Sequence, residues 1–228
     1  MTRANKSGSP AIVGEGKKGS SARIAAAGLA MLMTFLVGTA RNSIARRDPE
    51  IRSGDLKMSV RVYNYAGSSA DTLRLAESDA ARIFAKAGVR LEWHECPFPA
   101  SAESADPACA APLAPSDLQL RIVKGVKPMR KHADAEIGGF TLGNLATVQM
   151  EPLLEAGRPT ACLPYQMLGR AIAHEFGHAL LGPEHSSRGI MQARWGEGQL
   201  GFAAANDLVF APDQEKALRL AVKGRNRQ

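Results

Sequence analysis

Two hydrophobic periods alternate along the chain after residue 57. Val60 and Val62 alternate with Arg61 and Tyr63, the period of a half-buried strand, and this predicts a strand ending near Gly67. Leu73, Ala76, Ala80, Ile83, Phe84 and Ala87 then recur at spacings of three and four. With Ser69 and Asp71 as N-cap candidates and Gly88 as the stop, they predict an amphipathic helix from Asp71 to Ala87. Val89, Leu91 and Trp93 alternate again, so the helix reads as a crossover between two parallel strands. Leu118, Leu120 and Ile122 predict a third strand. Gly138-Gly139 and Gly143-Asn144 punctuate a loop. Ala146 to Met150 follows as a short strand at a sheet edge, where an extended peptide could pair. Leu168, Ile172, Phe176 and Leu180 recur every fourth residue and predict a helix from about Pro164 to Leu181. A last helix over about 212–222 has Leu218 and Leu220 to bury and a basic end suited to its C-terminus. The pattern is α/β of the α+β kind: a twisted mixed sheet, a backing helix and a second helix near residue 175.

Ahead of this lies a segment of another character. Ile24 to Ala40 is uncharged and mostly apolar for 17 residues, follows a basic Gly- and Ser-rich region, and closes on Gly38-Thr39-Ala40. That is the layout of a signal peptide, and its length also sits at the lower limit for a membrane anchor. Residues 1–40 are therefore read as a signal peptide or N-terminal anchor and 41–57 as a linker, with one folded domain over 58–228. The expectation is an exported protein, periplasmic or extracellular, or one tethered to the membrane through residues 24–40. It is taken as a monomer.

The formal charge of +7 changes little in this picture. Residues 1–40 carry a net +4 and leave +3 for the rest. Basic clusters at Lys124 to His132 and Lys216 to Arg227 lack interleaved aromatic residues, so no nucleic-acid partner is expected. Cys96 and Cys109 flank a Pro- and Ala-rich loop that a disulfide could staple, for about 3 kcal/mol in the chain-entropy model. Cys162 would then stand alone, and three buried thiols are the alternative.

The chemistry concentrates on the helix near residue 175. His174 and His178 are four apart, so their imidazoles leave one face a turn apart and can share one cation. A catalytic zinc takes three protein ligands and keeps a fourth position for water. Gly182-Pro183 should stop the helix and turn the chain back, bringing His185 to the metal, with Glu184 as the rival third ligand. Glu175 points off the ligand axis and is the candidate general base. His94 and His132 read as surface residues, and Cys162 lies too far before His174 to be a ligand.

Ala173-His-Glu-Phe-Gly-His-Ala-Leu-Leu-Gly-Pro-Glu-His-Ser-Ser187 resembles the active-site signature of metzincins, and of the matrix metalloproteinase branch in particular. The likeness covers about a tenth of the chain. It implies a zincin-like metallopeptidase domain over 58–228, Zn2+ as cofactor, and a peptide or protein substrate. It also implies that Gly189-Ile190-Met191 is a Met-turn, with Met191 a structural floor beneath the metal. The stretch Ile190 to Trp195 is similar to a set of uncharacterised exported bacterial proteins of zincin type. One departure stands out: the family pattern puts glycine three and the third histidine six residues after the second, whereas Gly182 is four and His185 seven after His178. Strict register would give the third-ligand slot to Glu184. Moving glycine and histidine together, on a helix one residue longer, favours His185. The resulting expectation is a zinc-dependent endopeptidase, with an exported, non-catalytic binding protein of the same fold as the alternative.

Overall fold

The computed structural model describes residues 56–97, 106–125, 138–158, 162–201 and 208–227, all within one unit, Arg47–Gln228. The expected signal peptide or anchor, linker residues 41–55, His132 and most of the 124–132 basic cluster lie outside the described residues. No described helix is long and apolar enough to cross a membrane.

The described residues form a five-stranded mixed sheet backed by helices. Strand β1 (Leu56–Asn64) begins two residues before the expected domain boundary and is followed by helix α1 (Ala70–Lys86) and strand β2 (Val89–Glu95). Ser69 caps α1 by accepting from the Thr72 N–H at 3.2 Å, and Gly88, at φ +80°, makes the turn into β2. Next come β3 (Leu118–Val123), β4 (Gly139–Leu142) and β5 (Leu145–Gln149), then α2 (Met150–Gly157), α3 (Pro164–Leu181), a single turn α4 (Glu197–Leu200), and α5 (Pro212–Arg225). The strand order is β2-β1-β3-β5-β4, parallel throughout except for β4, which runs antiparallel to β5.

That order corrects the sequence reading in two places. The stretch expected to be an edge strand, Ala146 to Met150, is interior: β5 sits between β3 and β4, with Ala146 and Val148 fully buried, and Met150 already opens α2. The edge is β4, built from residues taken for a loop. Four residues, one of them glycine, carry too little alternation to register as a strand, and the hairpin partner supplies the hydrogen bonds that make it one.

α1 and α3 lie side by side, close enough that a Cβ at Gly169 would stand 2.7 Å from the Ala76 carbonyl oxygen. Phe176 of α3 packs edge-on against Phe84 of α1 and stacks on Trp93 of β2, so the helix is locked to both. Away from this core, Cys96 and Cys109 form a disulfide with Cα atoms 5.5 Å apart. The same loop is held down by Arg61, which donates to the carbonyls of Ala111 at 2.7 Å and Pro112 at 3.0 Å.

Candidate metal centre

α3 starts with Pro164 at its first turn and stops at Gly182, whose φ of +97° is open to glycine and strained for other residues. The Gly182 N–H closes the helix on the His178 carbonyl at 3.0 Å. In return, the Gly182 carbonyl accepts from Nδ1 of His178 at 3.0 Å. Beyond it the chain doubles back, and the Ser186 N–H donating to the Met191 carbonyl at 2.8 Å closes a short loop that presents His185.

Three imidazoles converge there. Nε2 of His178 is 3.0 Å from Nε2 of His174 and 3.2 Å from Nε2 of His185. Two of the three ring orientations are set by carbonyls, since Nδ1 of His174 donates to Ile190 at 2.8 Å and Nδ1 of His178 to Gly182. A carbonyl can only accept, so Nδ1 of each ring carries a proton, and in the neutral imidazole Nε2 then presents a bare lone pair. Lone pairs facing each other at this distance repel unless a cation lies between them. Zinc–nitrogen bonds of about 2.0–2.1 Å at tetrahedral angles would place ligand nitrogens roughly 3.3 Å apart, close to the spacings seen. The donor set therefore fits a zinc ion. His174 is 1 % exposed. Burial, helped by the neighbouring His178 and His185, holds it down at about 4, so it stays neutral and able to ligate at physiological pH.

Glu184, the rival ligand, is exposed and lies outside the group of three, which is the one potential metal-holding cluster among the described residues. α3 ends at Leu181, and Gly182 makes the turn. His94 pairs instead with Asp106 at 2.7 Å. Cys162 sits 3.3 Å from Nη1 of Arg170 and takes no part in the cluster.

Met191 is 1 % exposed and lies directly under α3, where a Cβ on Gly177 would collide with its Sδ. The residue before it, Ile190, gives its carbonyl both to His174 and to Nε1 of Trp195, 3.1 Å away, while the Trp195 ring packs edge-on against His174. Glu175 is equally buried and faces β4. Its Oε2 accepts from the Thr141 hydroxyl at 2.7 Å, and a side chain at Gly139 would overlap the carboxylate. Thr141, Gly139 and Trp195 are site residues that the sequence reading missed. Thr141 and Glu175 are 34 positions apart, and no spacing rule joins an edge strand to a helix across that gap. Beside His178 a cleft of about 300 Å³ opens between Phe140, Thr141 and Gly143 on one side and Ala179, Gly182 and Pro183 on the other.

No protein-family model matches the chain, and no curated protein matches it in sequence. Among solved structures it is similar to an archaemetzincin from Methanopyrus kandleri, at 15% identity over 73% of this chain and 96% of that one, with a TM-score of 0.45. It is also similar to a zinc-dependent peptidase from Methanocorpusculum labreanum, at 11% identity over 70% of this chain and 99% of that one, again with a TM-score of 0.45.

Proposed function

We propose that the chain is a zinc-dependent endopeptidase in which His174, His178 and His185 hold the metal and Glu175 is the general base. The observation that carries the reading is the convergence of three Nε2 atoms, two of them on rings fixed in the ligating tautomer by backbone carbonyls. A zinc ion held by His174, His178 and His185 would supply Lewis acidity and lower the pKa of a bound water to about 7. Glu175 takes the proton of the attacking water and passes it to the leaving amine, with Thr141 fixing the carboxylate through Oε2. Among the described residues no strand pairs with β4 on the side away from β5, so that side offers backbone hydrogen bonds to an extended peptide, and the cleft beside His178 offers room for a side chain.

Export of the protein is part of the same proposal, supported by the Cys96–Cys109 disulfide, which persists in oxidising compartments. The test of catalysis is Glu175→Gln. The variant should keep its zinc and lose hydrolysis of a peptide library by at least about a hundredfold. Hydrolysis at the parent rate would exclude Glu175 as the base.

A further inference from the structure

The helix that carries His174 and His178 runs into a proline, and that leaves one carbonyl without its helical donor. The group four residues after Ala179 is Pro183, which has no N–H, so the Ala179 carbonyl cannot close the last turn. Arg225, near the end of α5 and 46 positions away, takes that place: its Nη2 donates to the Ala179 carbonyl at 2.5 Å. Nη1 of the same guanidinium donates to Oδ1 of Asn144 at 2.8 Å. Asn144 belongs to the β4–β5 turn, next to Gly143 at φ +59°, and its own amide donates to the Pro115 carbonyl at 3.2 Å.

One planar group therefore joins the two walls of the cleft beside His178. Phe140, Thr141 and Gly143 come from the hairpin, and Ala179, Gly182 and Pro183 from the end of α3. A cation is also electrostatically favoured at a helix C-terminus. The fork geometry matters, because a lysine ammonium in the same place is a single point and cannot span two acceptors in fixed directions.

We infer that Arg225 is a positioning residue: it latches the β4–β5 hairpin to the carboxyl end of α3 and so sets the fit of substrate in the cleft, without touching the metal. Its kinetic consequence rests on the endopeptidase reading, whereas its structural consequence rests on the hydrogen bonds alone.

The test uses the full chain and three variants: Arg225→Met, which keeps the apolar stem; Arg225→Lys, which keeps the charge; and Asn144→Ala, which removes the hairpin arm together with the hydrogen bond to the Pro115 carbonyl. Amide hydrogen exchange at residues 143–145, zinc content, and kcat and KM on a peptide that the parent cleaves are measured for each. In Arg225→Met, exchange in the turn should speed up by about tenfold or more while one zinc per chain is retained. KM should rise by about tenfold with kcat within about twofold of the parent. Asn144→Ala should reproduce both effects, and Arg225→Lys should restore little of either. Unchanged exchange in the turn of folded Arg225→Met, or loss of zinc with KM unaltered, would overturn the latch. If the parent cleaves no peptide, the endopeptidase reading fails while the exchange measurement still decides the latch. If Arg225→Met does not fold, exchange in Arg225→Lys, which leaves the Asn144–Pro115 hydrogen bond in place, decides it.

Discussion

Between pH 4.5 and 6.5 the metal-free protein should show almost no change in stability, and one substitution should expose a steep one. His174 is held at about 4 in the fold against an ordinary 6.5, chiefly by burial. Between those values the unfolded chain binds a proton that the native state refuses. The contribution of His174 is therefore full above pH 6.5 and is lost as the pH falls toward 4. Glu77 works in the opposite sense. It is 7 % exposed on α1, its Oε1 takes no hydrogen bond from the described residues, and burial, assisted by the Glu95 charge, raises it from 4.5 to about 7. Here the native state keeps a proton that the unfolded chain releases, so the contribution is full below pH 4.5 and is lost as the pH rises through 7. At 1.36 kcal/mol per unit each effect is on the order of 3 kcal/mol, and the two oppose each other across the shared window. Glu92 and Asp106, both held below their ordinary values, act mainly below it. Urea midpoints of the zinc-free protein should therefore be nearly level from pH 6.5 to 4.5. Glu77→Gln should become less stable over that range by on the order of 3 kcal/mol, and His174→Gln should show the mirror-image slope. A level profile for Glu77→Gln would refute the assignment of His174 as a neutral, buried imidazole.

Two further outcomes follow from the packing around the site. Alanine normally favours a helix over glycine by about 0.5–1 kcal/mol, but in Gly177→Ala the new Cβ meets Met191 and stands 3.1 Å from Phe210. We expect a net loss of about 1–2 kcal/mol and weaker zinc binding, read from thermal unfolding and a zinc titration; a raised Tm would show that Met191 does not press on the helix. Thr141→Val keeps the shape of the side chain and removes its hydrogen bond to Glu175. Zinc content should be unchanged and kcat lower by about tenfold, whereas an unaltered kcat would remove Thr141 from the site.

Local signals located most of the frame. Ser69 and Gly88 bracketed α1 to within one residue because a cap and a left-handed stop are decided by neighbouring residues. Pro164 and Gly182 did the same for α3, and the four-residue spacing of His174 and His178 is a property of the helix itself. Placing His185 rested on the shifted glycine, also a local signal, and the geometry brings that residue to the pair. Tertiary relations were not legible. Whether β5 was interior depended on β4, a four-residue strand with no pattern of its own, and α2 was hidden by the apparent continuation of β5 through Met150. The Thr141–Glu175 contact, the carbonyl shared by His174 and Trp195, and the Arg225 bridge all join residues through the fold, and no periodicity encodes them.

In the proposed centre three histidines, and not two histidines with a carboxylate, bind zinc. Metal analysis of purified protein with its His185→Ala and Glu184→Ala variants tests it most directly. One zinc per chain is expected in the parent and in Glu184→Ala, with affinity lost by at least about a hundredfold in His185→Ala. Retention of zinc by His185→Ala together with its loss from Glu184→Ala would contradict it, as would a parent chain that binds no zinc.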